Sequence, residues 1–340
     1  HVRSRRQRQM CIRDSLVAGT ASAQKESFAN RITIKGYGQV YAEGGYYDND
    51  QKLGTVGINK IEVLGLGRIT DQWSMGITVQ FNKPVMLKDL YMQYAFMPEL
   101  KVKIGQFKTP FGHENQIAPF LNSLAIGGSM PTVYFAGVGM DPLYYGTAGR
   151  DMGIELSGDL FKNIVSYKVV AMNGQGMNAT DLNLGKLLGG SLYIRPIEGL
   201  SLHTSYLGGK QVAMGAAKGI QAGESYMRHR VSAGVIANYQ PISLSTEYMY
   251  GRDKDVKSMG AYLTAAVHLP KRYDLVVSGD YLQPDMDQSG KLFTATLGVD
   301  KWFYGNCRVQ LQYRYTHPTD QVMLPVAKGH TLRTQFQFAF

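Results

Sequence analysis

Residues 306–316, NCRVQLQYRYT, alternate between apolar and polar side chains with a period of two. On an extended chain, successive side chains point to opposite faces, so this pattern predicts a β-strand with two different faces. One face carries Cys307, Val309, Leu311, Tyr313 and Tyr315, and the other carries Arg308, Gln310, Gln312, Arg314 and Thr316. Residues 73–82, WSMGITVQFN, repeat the pattern. A single strand of this kind fits both a soluble sandwich and a membrane barrel.

The number and length of such segments favour the barrel. Several are nine or more residues long, which exceeds the usual soluble strand of about 5–6 residues and suits the ~9–11 residues that cross a bilayer. The sixteen predicted strands are 31–42, 55–70, 73–82, 85–97, 100–107, 149–158, 163–173, 187–196, 199–209, 226–239, 241–251, 257–269, 272–282, 292–303, 306–316 and 329–340.

The connections between the segments alternate in length. Those after the even-numbered segments are tight, as at 70–72 and 97–99. Those after the odd-numbered segments are mostly longer, as at 43–54, 108–148, 174–186, 210–225 and 317–328. Short periplasmic turns that alternate with longer outer loops are typical of outer-membrane barrels. We therefore predict an all-β fold, a transmembrane antiparallel up-and-down barrel of about sixteen strands.

The composition excludes several other classes. The chain of 340 residues is 44% hydrophobic, which argues against disorder. It has only two cysteines, which argues against a disulfide scaffold and a multi-cysteine zinc module. No stretch reaches the ~18 apolar residues of a membrane-spanning helix. The net charge is +10, and the part after residue 23 keeps 31 basic and 25 acidic residues, a net charge of +6. We expect no nucleic-acid partner.

Residues 1–23 are predicted to be the remnant of a signal peptide. Ala21-Ser22-Ala23 has the small-residue pattern of a signal-peptidase site, but the apolar segment before it is short. Residues 6–15, RQRQMCIRDS, resemble translated adapter sequence, so we expect a non-native N-terminus. A genuine arginine-rich leader is the alternative. Residues 24–340 are then a single barrel domain outside the cytoplasm.

The last ten residues, TLRTQFQFAF, form an alternating segment that closes on an aromatic residue. Its outer positions, Phe336, Phe338 and Phe340, resemble the terminal signal by which bacterial barrel proteins are recognised for assembly. We therefore expect the barrel-assembly machinery to be a partner of this chain through its C-terminal strand.

Four motifs are similar to those of a known family. They are GQFKTPFG at 105–112, NGQGMN at 173–178 followed by Asp181, Asn183 and Lys186, EYM at 247–249, and QFQF at 335–338. Together they resemble the phosphate-selective porin O and P family. The resemblance implies a trimeric, sixteen-stranded porin that passes small anions through the outer membrane of a Gram-negative bacterium. One departure is Ser278-Gly279-Asp280, where the family tends to carry an arginine.

If the apolar positions face lipid, the alternate positions line the lumen. The basic residues at those positions are Lys35, Lys60, Arg68, Lys101, Lys103, Lys168, Arg195, Arg228, Arg230, Arg308, Arg314 and Arg333. The acidic ones are Glu62, Asp89, Asp151, Glu155, Glu247, Asp274, Asp280 and Asp300. Rows of Lys and Arg in a narrow aqueous space favour anions. The alternative is that bases and acids pair across neighbouring strands and stiffen the wall.

The connection 108–148 is the third long loop. Its many apolar side chains need cover, so we predict that it folds into the lumen and narrows the pore. The predicted constriction residues are Lys108, Phe111, His113, Glu114 and Asp141. They do not form a strongly basic ring, which favours a general pore with a mild anion preference over a dedicated phosphate filter.

The sequence predicts no catalytic, metal or cofactor site. His113 and Glu114 are adjacent and lack a third ligand at a useful spacing. His203 and His268 lie on predicted inner faces, but no spacing brings a nucleophile, a base and an acid together. We predict a homotrimeric porin in outer-membrane lipid that passes small anionic or polar solutes. The alternative is a barrel that anchors an enzyme or an adhesion protein and conducts nothing.

Overall fold

A computed structural model describes residues 31–48, 52–82, 84–144, 147–319, 322 and 324–340. The predicted signal remnant at 1–23 lies outside the described residues. Sixteen antiparallel strands and two short helices, α1 (His113–Gln116) and α2 (Met130–Phe135), make up the regular structure. The strands are β1 (Ile32–Tyr47), β2 (Lys52–Arg68), β3 (Trp73–Gln80), β4 (Met86–Met97), β5 (Leu100–Lys108), β6 (Arg150–Leu160), β7 (Val165–Met172), β8 (Leu187–Ile197), β9 (Leu200–Val212), β10 (Ser225–Tyr239), β11 (Ile242–Asp253), β12 (Val256–Leu269), β13 (Tyr273–Gln283), β14 (Leu292–Tyr304), β15 (Cys307–Pro318) and β16 (Gly329–Ala339).

Each strand pairs with its neighbours in the chain, and β1 pairs with β16 to close the barrel. The closing register places Tyr37 opposite Ala339 and Gln39 opposite Gln337. Closure removes the unpaired backbone groups that a sheet edge would expose to lipid. The predicted fold class is confirmed, with sixteen strands at the predicted places along the chain.

The strand boundaries differ most at the first long connection. Sequence analysis predicted a connection over 43–54, but β1 runs to Tyr47 and β2 begins at Lys52. Gly45 pairs with Thr331 on one side and with Leu53 on the other, so a glycine-rich stretch that resembles a loop is held in the sheet from both sides. Between β11 and β12 only residues 254–255 remain outside the strands.

The two faces of the wall have the predicted characters. Leu311 and Tyr313 are exposed on the outer face, whereas Gln310 and Gln312 between and beside them are fully buried in the lumen. Across the barrel, many large apolar side chains are exposed on the outer face, and the buried strand residues include all eight predicted lumenal acids. Among the described residues, no helix is both long enough and apolar enough to cross a membrane.

The described part of the connection 109–149, which leaves out residues 145–146, lies inside the barrel, as predicted. Phe111, Tyr134 and Phe135 are buried in one apolar cluster with wall residues that include Met249 and Leu282. Helix α2 contacts β11, β12 and β13. Burial of these aromatic side chains is worth roughly 1.5–3 kcal/mol each, which stabilises the loop against the wall.

Candidate functional site

The beginning of the inward loop is held by one wall carboxylate. The backbone N–H of His113 donates to both oxygens of Glu247 at 2.9 Å. The hydroxyl of Tyr262 donates to the same carboxylate at 2.7 Å, and Nδ1 of His203 lies 3.0 Å from it. Glu247 and His203 are fully buried, so these contacts are shielded from water. Glu247 therefore fixes the point at which the loop enters the lumen.

The far part of the loop is held by a buried group of charges. Asp141 of the loop accepts from Arg228 at 2.5 Å and from Arg230 at 3.4 Å. The same two arginines donate to Asp253 of β11, at 3.1 and 2.8 Å. Lys218, from the connection between β9 and β10, adds a 2.7 Å bond to Asp253. Three cations thus surround two carboxylates, and the loop supplies one of those carboxylates.

The middle of the loop is held by its backbone carbonyl groups. Arg308 donates to the carbonyl oxygens of Phe120 and Asn122 at 3.2 and 2.5 Å. Arg333 donates to the carbonyl oxygen of Ala125 at 3.0 Å. An unsatisfied carbonyl in a buried loop is costly, so these arginines stabilise a path that the backbone could not follow alone.

The predicted lumenal bases therefore fall into two groups. The first group contacts the loop: Lys168, Arg228, Arg230, Arg308 and Arg333. The second group comprises the other predicted lumenal bases: Lys35, Lys60, Arg68, Lys101, Lys103, Arg195 and Arg314. Within the second group, Lys101 pairs with Asp159 at 3.3 Å and Lys103 with Glu155 at 3.0 Å. Some lumenal bases thus pair with acids on the neighbouring strand, as the alternative interpretation of the sequence expected.

Arg314 is bound through a neutral hydroxyl. Its Nε donates to Oγ1 of Thr296 at 3.0 Å, and its Nη2 is buried without a hydrogen-bond partner among the described residues. Arg230, in contrast, is bound to two carboxylates.

The predicted constriction residues mainly hold the loop in place. Phe111 is fully buried in the apolar cluster, and Lys108 donates to the carbonyl oxygens of Asn115 and Ile117 at 2.8 and 2.6 Å. Glu114 accepts from the backbone N–H of Ser129 at 3.1 Å. Burial lowers the pKa of His113 to about 4, so its ring is neutral at pH 7. The charged groups of the loop are thus engaged within the protein.

Sequence analysis missed some lumenal charges, and the reasons are local. The register of β3 and β4 shifts at Thr78, so Lys88 lies in a bulge, outside the pairing. A bulge resets the alternation. Lys88 is buried beside Asp89 and reaches Glu62 at 2.6 Å. Strict alternation instead places Lys88 on the lipid face. Arg150, which begins β6, binds Asp89 at 2.8 Å.

The histidines of the lumen have different partners. Nε2 of His203 lies 3.3 Å from the amide nitrogen of Gln116, with no serine contact shown. His268, however, lies between Ser243 and Asp274, at 3.1 and 2.8 Å. The sequence does not bring a serine, a histidine and an acid together, whereas the structure joins these three residues in one hydrogen-bonded chain. Within the described ranges, no group of three or more His, Cys, Asp or Glu side chains could hold a metal ion.

Comparisons with known proteins identify the fold. No family model and no curated protein matches the chain, so membership in the phosphate-selective porin O and P family stays a prediction. Among solved structures, the chain is similar to Salmonella typhi OmpF in complex with daunomycin (TM-score 0.68, 10% identity, 91% of this chain and 97% of that one). It is also similar to the trimer form of Vibrio cholerae OmpT (TM-score 0.66, 11% identity, 91% and 100%). Pseudomonas putida OprB gives a TM-score of 0.65 at 11% identity, with 92% and 95% covered.

These likenesses concern the fold, because every identity is low. The closed barrel carries apolar side chains over its outer face and charged side chains inside. Apolar side chains over an outer surface are unfavourable in water and favourable in lipid. The arrangement therefore fits a barrel embedded in a bilayer. The chain is thus an outer-membrane β-barrel of the Gram-negative kind.

Proposed function

We propose that the chain is a porin that lets small hydrophilic solutes diffuse passively through the outer membrane, with a mild preference for anions. The observation that carries the proposal is a sixteen-stranded barrel with a charged lumen and one loop folded into it. Barrels of this strand number enclose an aqueous channel unless they are plugged. The similar solved structures include proteins described as outer-membrane channels, such as DcaP of Acinetobacter baumannii.

The anion preference is supported by where the loop lies. It binds the arginines of β10, β15 and β16, and further contacts join it to β7 and β11. Lys108 at the end of β5 donates to loop carbonyl groups, and Tyr37 of β1 packs against Phe120 of the loop. The other bases of this part of the wall are Lys35, Lys60, Lys101 and Lys103, of which Lys101 and Lys103 pair with the wall acids Asp159 and Glu155. In a space with low-dielectric walls, even paired bases alter the field that a solute crosses. Solutes are proposed to pass between this wall and the loop.

Three further features belong to the same proposal. The protein forms a homotrimer, for which the trimer form of the similar OmpT structure is the support. Its C-terminal strand binds the barrel-assembly machinery, for which the outward, exposed side chains of Phe336 and Phe338 are available. Phosphate is one candidate solute among small anions.

Planar-bilayer recordings with the purified protein test the porin proposal. The expected result is steady, ohmic channel currents with a zero-current potential of anion-selective sign in a salt gradient. A protein that inserts, resists unfolding in detergent and yet carries no current would contradict the porin function and favour a barrel that only anchors another activity. A potential of cation-selective sign would contradict the anion preference alone.

Neutralising two wall bases together, Lys35→Gln and Lys101→Gln, is expected to lower the anion preference. Each substitution removes one positive charge from the predicted lumenal face of the wall, so the zero-current potential should move toward the cation-selective sign. The matched control is Arg252→Gln with Lys254→Gln, since these half-exposed cations belong to the loop end of β11. Salt screens such exposed charges within about 10 Å at 0.1 M, so the control should change the potential little. Equal shifts in both double variants would contradict the proposed path.

A further inference from the structure

Three inward residues of neighbouring strands form a continuous hydrogen-bonded chain. Oγ of Ser243 on β11 lies 3.1 Å from Nε2 of His268 on β12. Nδ1 of the same ring lies 2.8 Å from Oδ1 of Asp274 on β13. Each ring nitrogen thus has one partner, with the carboxylate on Nδ1 and the hydroxyl on Nε2. This is the order that activates a serine hydroxyl in acyl transfer.

The register of the sheet brings the three residues together. His268 and Asp274 are direct partners across the tight turn at 270–272. Ser243 pairs with Ala266, two residues before His268 on the same face of β12. The neighbouring residues Ile242, Leu269 and Tyr273 are exposed on the outer face, so the three polar residues face the lumen. They lie at the end of the barrel that carries the short turns, the periplasmic end by the usual orientation.

A fourth residue fixes the acid. The indole Nε1–H of Trp302 donates to Oδ2 of Asp274 at 2.5 Å. Asp274 therefore has a partner on each oxygen, and its orientation toward His268 is fixed. The His268 side chain is 27% exposed and that of Asp274 is 11% exposed. The imidazole can therefore meet solvent while the carboxylate that orients it is largely covered.

The register partner of Ser243 belongs to a small buried apolar cluster. Ala266, the register partner of Ser243, is buried in a small cluster with Val276 and with Leu124 of the inward loop. His203, in contrast, has Glu247 on one ring nitrogen and the amide of Gln116 on the other. The arrangement at Ser243 is thus not a general property of histidines in this lumen.

We infer that Ser243 is an activated nucleophile that accepts the acyl group of small carboxylic esters entering the lumen. Oγ attacks the ester carbonyl while its proton passes to Nε2 of His268, and the imidazolium then gives that proton to the departing alkoxide. Water, deprotonated by the same nitrogen, hydrolyses the acyl-serine and regenerates the hydroxyl. Ser243 and His268 are the catalytic residues, and Asp274 is a positioning residue. This activity goes beyond passage through the pore and requires only that the ester reach the lumen from the end that carries the short turns.

Covalent labelling with a fluorescent alkyl fluorophosphonate, a probe for activated serines, tests the inference on the full-length barrel in detergent. We expect the wild type to be labelled at Ser243, as located by peptide mass spectrometry. Ser243→Ala should abolish labelling, and His268→Ala should reduce its rate about a hundredfold, the usual contribution of a general base. Added imidazole should partly restore labelling of the His268→Ala protein, whose cavity can accept it. Asp274→Asn should slow labelling, and Asp274→Glu should recover part of the rate, which a purely structural role would not produce.

The matched control is Ser245→Ala, at the next inward position of β11, where Oγ contacts Tyr262 instead of a histidine. That variant should be labelled like the wild type. Heat-modifiable migration on a gel shows that the wild-type protein is folded. Absence of labelling in that folded protein would overturn the inference, as would labelling of Ser243→Ala at the wild-type level. Bilayer currents are recorded on the same preparations, so failure of the nucleophile and failure of the porin are seen separately.

Discussion

Replacing Asp141 with Asn is expected to release the far part of the inward loop from the wall. The substitution keeps the size of the side chain but leaves Arg228, Arg230 and Lys218 with Asp253 as the remaining carboxylate of the group. Removing one partner of a buried charge group typically costs about 3–5 kcal/mol, because the remaining charges cannot regain water. The wall strands keep their own hydrogen bonds. The loss should therefore appear as local opening of residues 130–144.

Two measurements follow this release. Amide hydrogen exchange should accelerate in 130–144 while the strands stay protected, and single-channel currents should become larger and noisier. Asp255→Asn is the matched control, since the carboxylate is 83% exposed and pairs with a half-exposed Arg252. An exposed pair contributes at most about 1 kcal/mol, so the control should behave like the wild type. Unchanged exchange in the Asp141→Asn protein would show that the loop is held by its apolar contacts alone.

Replacing Glu247 with Ala is expected to free the beginning of the loop. The change removes the acceptor for the His113 N–H, the Tyr262 hydroxyl and the His203 ring. A buried donor without an acceptor costs about 1–3 kcal/mol, and the variant would leave several such groups together. The loop entrance should therefore separate from β9 and β11. The conductance should rise, and a protease should cleave the loop near 112–116 in the folded barrel.

Glu247→Gln provides the matched control for this experiment. Glutamine keeps the shape of the side chain and one acceptor oxygen, so it should retain the His113 contact and most of the protection from cleavage. The order of protease resistance is expected to be wild type, then Gln, then Ala. An Ala variant with wild-type conductance and cleavage would mean that Glu247 stiffens the wall without positioning the loop.

The sequence was most informative where the physics is local. Alternation along 73–82 and 306–316 follows from the two-residue period of a strand, and it predicts which side chains face lipid. The outward exposure of Met75, Leu311 and Tyr313 agrees with that prediction. The long connection at 108–148 carries too many apolar side chains for a water-exposed loop, and its burial in the lumen follows from the hydrophobic effect.

The residues that hold the loop could not be read from the sequence in the same way. Asp141 and Arg228 are distant in sequence, and they meet because the loop crosses the lumen. Arg308 was predicted to be lumenal, but its role as a donor to loop carbonyl groups depends on the path of the loop backbone. Sequence analysis treated the lumenal bases as one set, and the fold divides them into loop contacts and wall bases.

The bulge at Lys88 and the hydrogen-bonded chain at Ser243 both depend on strand register, which the sequence alone does not give. Alternation places Lys88 toward lipid, and one extra residue in β4 places it beside Glu62 instead. His268 and Asp274 flank a predicted tight turn, so their pairing was within reach of a register argument. The contact with Ser243 also needed the alignment of β11 with β12.

By itself, the sequence determined the strand number, the barrel class and the face on which each regular strand residue lies, because these follow from local period and from connection length. Only the tertiary structure decided where the loop rests, which bases it binds and which polar residues meet across strands. Those contacts depend on register, bulges and closure of the barrel, and they join residues far apart in the chain. The sequence therefore predicted which charged residues face the lumen. It did not predict which of those residues bind the loop.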